Sequence, residues 1–362
     1  MSMSKRVTFF LMATAFVCAF AMAFVSTEAG AADWPQRPVT VYIQYAAGGA
    51  TDYANRALAA EMEKYLGKPI LCQSMTGASG AIAAKHVAKQ PSDGYAWLGA
   101  ANTIVIYGVK GLSTLKWTDF YPYIAVYCPA GFIVKKDSEY GTLADLLAAI
   151  KKNAGKMTYG SPGIGSGAHC LGAALLDNQK LNAKHVPYKG GRDAIRAVLN
   201  NEVDFASITM GDGVDYLKSG DLRALTIGDL TPMEVEGYGS IPAVADQLPS
   251  MKALVPAYMV AFGPMIKRDI PPEIVNKITD AFVKAVTSDK YKSMVEDRGL
   301  KVAGLYGEEA DRWFSKNETG RPWILYNLGI AKKSPTEFGI PTLANWEWPG
   351  YGKLGIKEWP AK

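Results

Sequence analysis

Apolar residues along the chain fall into two rhythms, short continuous or alternating runs and longer stretches in which they recur every third or fourth position. Val39-Thr40-Val41-Tyr42-Ile43, Ile70-Leu71-Cys72 and Tyr95 to Ala100 follow the first rhythm and read as strands. Between the first two, Ala54, Leu58, Met62 and Leu66 make one apolar stripe, which predicts a helix from Tyr53 to Leu66. Thr51 or Asp52 is placed to cap it and Gly67 to stop it. Ala81 to Lys89 is a second helix, and Pro91-Ser92-Asp93-Gly94 is a turn before the third strand. The order strand, helix, strand, helix, strand is that of a parallel α/β layer, whose ligands bind beyond the carboxyl ends of the strands.

A second series begins at Phe132-Ile133-Val134. Thr142 caps a helix to Asn153, Gly155 stops it, and Met157-Thr158-Tyr159 is a strand. A helix from Cys170 to Asn178, a strand His185-Val186-Pro187-Tyr188, a turn Gly190-Gly191-Arg192-Asp193, a helix Ala194 to Asn200 and strands Val203 to Ile208 and Leu222 to Ile227 complete it. An irregular stretch from Asp229 to Pro249 follows, then a strand from Tyr258 to Gly263 and helical patterns over Pro272 to Arg298 and Glu308 to Leu328. This predicts two α/β lobes around a hinged cleft: residues 33–130 and 256–333 in lobe 1, and 131–255 in lobe 2. Residues 334–362 hold Trp346, Trp348 and Trp359 among prolines and glycines. They read as an extended arm wrapped on the body, with a partner-docking arm as the alternative.

Three strand-to-helix junctions are rich in glycine: Ala46-Ala47-Gly48-Gly49-Ala50-Thr51-Asp52, Ser74-Met75-Thr76-Gly77-Ala78-Ser79-Gly80, and Tyr159-Gly160-Ser161-Pro162-Gly163-Ile164-Gly165-Ser166-Gly167-Ala168-His169. Each is a tight turn with a capping residue, or a loop whose backbone approaches a ligand and aims helix-start N–H groups at it, where anions are favoured. Three such junctions offer three helix starts to one cleft.

The length of 362 residues fits two domains rather than one core. Lys5 and Arg6 precede an apolar run from Val7 to Val25, and Ala29-Gly30-Ala31-Ala32 supplies small residues for cleavage, so residues 1–32 read as a signal peptide cleaved near Ala32. A membrane anchor is the alternative, disfavoured by the small-residue site; no other segment approaches the roughly 20 apolar residues of a membrane span. Removing Lys5, Arg6 and Glu28 takes the formal charge from +5 to +4, a weak basic bias without the clustered Lys and Arg of a nucleic-acid surface. Export permits disulfides, but Cys72, Cys128 and Cys170 form at most one pair, and buried free thiols are the equal alternative.

Sharper chemistry finds little support. Gly165-Ser166-Gly167 is not the Gly-x-Ser-x-Gly of a nucleophile elbow, and His169 reads as a ligand-side or capping residue. His86, His169 and His185 have no metal-ligand spacing, and no loop ends in the Gly-Lys-Ser/Thr of a phosphate loop, so no cofactor is expected. Asp52 serves as cap, ligand residue or both. Tyr45, beside the first loop, is placed in the cleft, and Trp97 in the core.

In this order and spacing, Tyr45 to Asp52, Gly77 to Gly80, Gln90-Pro91-Ser92-Asp93-Gly94-Tyr95, Gly160 to His169 and His185-Val186-Pro187-Tyr188-Lys189-Gly190-Gly191 resemble the periplasmic solute receptors of tripartite tricarboxylate transporters, the TctC or Bug family. The similarity runs from about Trp34 to about Lys332. It implies an α/β, two-lobed type II periplasmic binding protein fold that closes on a small organic anion and delivers it to membrane permease subunits. Carried over onto this sequence, the ligand residues are Ala47, Gly48, Ala50, Thr51 and Asp52 in the first loop, Ser74, Gly77, Ala78, Ser79 and Gly80 in the second, and Gly165, Ser166 and His169 in the distal loop, joined by Tyr45. Amides would hold a carboxylate without any buried arginine. Relatives that bind acidic amino acids place an aspartate after the strand corresponding to Val203-Asp204, where this chain has Ser207-Ile208-Thr209. The expectation is a di- or tricarboxylate or aromatic acid without an amine, bound by a monomeric, non-enzymatic periplasmic receptor. An enzyme on the same fold and a sensor's binding module are the alternatives.

Overall fold

The computed structural model describes residues 34–361, and the signal-peptide reading of residues 1–32 lies outside them. Lobe 1 begins with β1 (Val39–Ile43), α1 (Ala50–Leu66), β2 (Ile70–Ser74), α2 (Ala81–Ala88) and β3 (Ala96–Ala101). β1 pairs in parallel with both other strands, Val41 lying opposite Cys72 on one side and Trp97 on the other. Ala54, Leu58 and Met62 turn the stripe of α1 onto the sheet, and Gly67 ends the helix in the left-handed conformation, φ 69°. β4 (Phe120–Pro122) and β5 (Ile124–Cys128) follow, both antiparallel to a strand that arrives much later in the chain.

The chain then crosses to lobe 2: β6 (Ala130–Lys135), α3 (Leu143–Lys152), β7 (Thr158–Ser161), α4 (Gly167–Asn178), β8 (Lys184–Pro187), α5 (Gly191–Leu199), β9 (Phe205–Thr209), α6 (Met210–Lys218) and β10 (Leu222–Ile227). Its five strands run in the order β10-β6-β9-β7-β8. Thr142 caps α3 as its sequence predicts, in a reciprocal box with Asp145. Sequence analysis did not find α6, because Gly211 and Gly213 dilute its helical signal. Within the stretch read as irregular, β11 (Met233–Val235) and β12 (Gly239–Ile241) form a small hairpin.

The return to lobe 1 is β13 (Val260–Lys267), which enters between β5 and β3 and completes a seven-stranded sheet of order β14-β5-β13-β3-β1-β2, with β4 also on β13. α7 (Pro272–Thr287), α8 (Asp289–Glu296), β14 (Lys301–Leu305), α9 (Gly307–Glu318) and α10 (Arg321–Asn327) follow. Both long helical patterns are thus divided. Ser288 caps α8 by accepting from Tyr291 N–H, and Pro322 enters the first turn of α10.

The three free thiols, Cys72, Cys128 and Cys170, form no disulfide. The segment from residue 334 onward lies on lobe 1. Trp346 donates to Ser315 Oγ at 3.1 Å, and Trp359 packs on Tyr121 and Tyr123 with ring centroids 4.9 and 5.0 Å away. Beneath Trp359 is a buried ion pair: Arg268 Nη2 donates to Asp311 Oδ1 at 2.6 Å, and the Trp359 indole N–H donates to Asp311 Oδ2 at 2.8 Å. Arg268 also donates to Phe120 O at 3.0 Å and Lys357 O at 2.8 Å, so sheet, helix and arm meet on one charge pair. Breaking such a pair leaves a buried charge unanswered, which typically costs about 3–5 kcal/mol. Asp311→Asn is therefore expected to lower unfolding stability by about that amount in urea titration. A loss under about 1 kcal/mol, no more than an exposed pair gives, would show that the pair does not hold the arm in place.

Candidate functional site

The helices after the first and distal glycine loops, and that after the Gly190-Gly191 turn, start three residues earlier than their apolar periodicity predicts: at Ala50 rather than Tyr53, at Gly167 rather than Cys170, and at Gly191 rather than Ala194. Their first turns are made of small and polar residues, which carry no stripe because they face the space between the lobes. There a cavity of about 270 Å³ is walled by the first loop, the start of α4, the start of α5, the end of β9 and residues of β3 and β13.

Of the residues assigned from sequence, Tyr45, Ala47, Ala50, Thr51 and Ser166 stand in that wall. Tyr45 is half-buried there, and Trp97 is in the core as expected. Gly48, which is exposed, and Asp52, which is buried, are not in the wall. Asp52 is not the cap of α1, which begins two residues earlier at Ala50, with Gly49 as its N-cap and no side-chain cap. Its Oδ2 instead accepts from Gly48 N–H at 2.9 Å, and its carboxylate accepts from Arg56 at 2.9 Å and Ser74 Oγ at 3.3 Å, tying the first loop to the end of β2. Thr51, read as the other candidate cap, is likewise inside the helix.

Gly77, Ala78, Ser79 and Gly80 are outside the cavity wall and follow one another with φ of 125°, 47°, 53° and 87°. Consecutive positive φ values on alanine and serine are strained, and such strain persists where surrounding contacts fix it. Here the contact is with the other lobe: Ser79 Oγ donates to Ile164 O at 3.1 Å and Lys110 Nζ donates to the same carbonyl at 2.8 Å.

Gly165 and His169 support the distal loop from within. Ser166 Oγ accepts from His169 N–H at 3.1 Å, and His169 Nδ1 accepts from Gly165 N–H at 3.1 Å, which requires a neutral ring. The His169 ring lies 4.3 Å from that of His185, whose Nε2 is 2.7 Å from Ser161 Oγ. Burial, then His185 and Lys110, push the His169 pKa down to about 3. Burial pushes that of His185 down to about 4.

None of the charged groups in the wall was assigned from sequence, and two of them correct an expectation. Asp212, in the first turn of α6, puts a buried carboxylate into the cleft from lobe 2 although Ser207-Ile208-Thr209 has none. Its Oδ1 accepts from Ala50 N–H at 2.8 Å, and its Oδ2 accepts from the Thr209 hydroxyl. The signal was the spacing Thr209-x-x-Asp212, a helix-start pattern. Arg321 is fully buried and also stands in the wall, against the expectation of a site without a buried arginine. No periodicity marks it, since it opens a helix of only seven residues. Arg192 and Arg196 add basic side chains from α5, and Arg196 is paired with Asp193.

A family model described as tripartite tricarboxylate transporter family receptor matches residues 54–321. A protein encoded in the gbd 5′ region of Cupriavidus necator is 28% identical over 319 residues, which are 87% of this chain and 94% of that one. MatC from Rhodopseudomonas palustris, solved with bound malate, is 25% identical with a TM-score of 0.68 over 79% of this chain and 99% of its own. An R. palustris protein solved with adipate is 24% identical with a TM-score of 0.75, over 82% and 99%.

The histidine pair gives the protein an acid limit. A base with a folded-state pKa below its unfolded value of about 6.5 binds more protons when unfolded, so its contribution is complete above that pH and is lost as pH falls toward the depressed values. Each such proton contributes a slope of at most about 1.4 kcal/mol per pH unit. Urea midpoints are expected to fall between pH 7.5 and 5, and to fall less in a variant carrying His169→Gln and His185→Gln. Equal slopes in the two proteins would assign the acid sensitivity elsewhere.

Proposed function

The chain belongs to the family of tripartite tricarboxylate transporter receptors, and from that membership we propose that it captures a small organic carboxylate between its two lobes and delivers it to the permease of such a transporter. The observation that carries this reading is the cavity of about 270 Å³ whose wall is supplied by both lobes. A ligand touching both favours the closed arrangement, because its affinity for that state is higher. The permease would then recognise the closed surface. The malate and adipate in the two R. palustris proteins support a carboxylate as the solute.

The class we assign is an acid without a charged amine. Asp212 accepts from Ala50 and Thr209, and the Arg192 guanidinium acts on its charge as well, so this carboxylate is answered within the chain without an ammonium group. The loops carrying Gly48, Asp52, Ser74, Gly77 to Gly80, Gly165 and His169 shape the cavity from behind, while Tyr45, Ala47, Ala50, Thr51 and Ser166 meet the ligand. The protein works as a monomeric periplasmic receptor after cleavage near Ala32, lobe 1 being residues 33–130 and 256–333, lobe 2 residues 131–255, and the arm residues 334–362. It is not an enzyme: Ser166 Oγ accepts from the backbone of His169, an arrangement that supports a structural cap rather than a nucleophile and its base.

The test is thermal unfolding of residues 33–362, refolded to remove carried-over solute, against malate, adipate, other di- and tricarboxylates, aromatic acids, their amides and glutamate. A ligand at 100 times its dissociation constant adds about 2.7 kcal/mol. A shift with an acid and none with its amide is the expected result. A shift with neutral solutes alone would overturn the carboxylate assignment, and preference for glutamate over its amine-free counterpart would overturn the amine-free class.

A further inference from the structure

The cavity wall contains a positive charge that the protein leaves unanswered. Arg321, on α10 of lobe 1, is fully buried, yet its partners are neutral: Nη2 donates to Met259 O at 2.6 Å and Asn102 Oδ1 at 2.8 Å, and Nη1 to Asn102 O at 3.5 Å. Among the described residues its Nε has no hydrogen-bond partner. The titratable groups that act on it are Cys170 and Tyr45. Burial raises the Cys170 thiol to about 11 and raises the Tyr45 hydroxyl, so neither supplies a negative charge. Arg268, the other buried arginine, shows the usual solution, a carboxylate from Asp311. A guanidinium keeps its proton even when buried, and an isolated buried charge is costly, so this position favours an anion from outside the chain.

The surroundings of Arg321 suit an acid group. Gly167, the first residue of the twelve-residue helix α4 in lobe 2, packs so closely that a Cβ there would stand 2.9 Å from Arg321 Nη2. Ser166 and Gly167 share the cavity wall with Arg321. A guanidinium from one lobe and a helix start from the other therefore converge at one end of the cavity. At the start of α1 the situation is opposite, because the Asp212 carboxylate already accepts from Ala50 N–H and stands where an acid from outside would sit.

Resting on the reading of this protein as a carboxylate receptor, we propose that the ligand's acid group pairs with Arg321 against the start of α4, and not with the start of α1, which Asp212 occupies. Arg321 is then the specificity-determining residue of the site, the group that an amide or ester cannot neutralise. Nη2 gives both of its hydrogens to Met259 O and Asn102 Oδ1, so the N–H groups left for a carboxylate are on Nε and Nη1, a placement that a lysine ammonium does not reproduce.

Calorimetric titration with malate and adipate, and with the corresponding amides, tests this on the wild-type protein, Arg321→Gln and Arg321→Lys. The expected result is that Arg321→Gln binds the acid about 100-fold more weakly and no longer prefers it to its amide, as loss of one partner of a buried charged pair implies, with Arg321→Lys between the two. Acid affinity within about threefold of wild type in folded Arg321→Gln, checked by circular dichroism, would overturn the assignment while leaving the receptor reading intact. Should Arg321→Gln fail to fold, the crystal structure of the wild-type complex decides: a ligand acid oxygen in hydrogen-bond contact with the Arg321 guanidinium supports the assignment, and one seated at the Ala50 amide overturns it. Binding of no organic acid by the wild-type protein would overturn both readings.

Discussion

A helix start must have its first N–H groups satisfied, and in this molecule that requirement links the lobes. Gly49 precedes α1 without a side-chain cap, and the acceptor for Ala50 N–H arrives 162 residues after Ala50 as the Asp212 carboxylate. The contact is as close as the packing permits: a Cβ on Gly191 would lie 2.1 Å from Asp212 Oδ2, so only glycine fits beside it. Burial raises the Asp212 pKa, while the Thr209 hydroxyl, Ala50 N–H and Arg192 pull it down. One carboxylate thus fixes the first loop of lobe 1 against the starts of two helices in lobe 2.

Around that contact the lobes meet through a ring of polar interactions. Ser79 and Lys110 reach the Ile164 carbonyl on one side. On the other, Arg298 pairs with Asp215, and Lys301 with Asp229 at 3.2 Å. These are exposed or half-exposed pairs, individually worth little, and they break readily when lobes separate. Apolar packing crosses the seam as well, since one core cluster joins Ile106 and Leu325 of lobe 1 to Leu171 and Phe205 of lobe 2, while β13 is buried along nearly its whole length and β9 throughout.

The arm and α10 show how charge is placed differently for different ends. Arg268 and Asp311 neutralise one another under Trp359, so the pair has no use for a solute and serves to fasten the arm. Arg321 has only carbonyl and amide oxygens as hydrogen-bond acceptors among the described residues, and it stands in the cavity wall. Burial is common to both arginines; the presence or absence of an internal carboxylate separates the fastening from the position proposed to bind.

The periodicity of apolar residues determined most of the strands and helices, the three glycine loops and the division into two α/β series, because each depends on residues within a few positions of one another, but β4, β5, β11, β12 and β14 were not read from it. The stop at Gly67 and the cap at Thr142 were legible for the same reason, whereas α3 ends on Asn153 before Gly155 is reached. First turns were not, since small residues facing a cleft carry no stripe, and α6 was hidden by its glycines. Tertiary structure decided which distant groups meet: Asp212 with Ala50, Arg321 with Asn102 across 219 residues, Trp359 with Asp311. It also decided that Asp52 ties a loop instead of capping a helix, and that His169 stands behind its loop instead of in the cavity wall. A side chain's partner is set by how two sheets fold onto one cleft, and no local spacing encodes that.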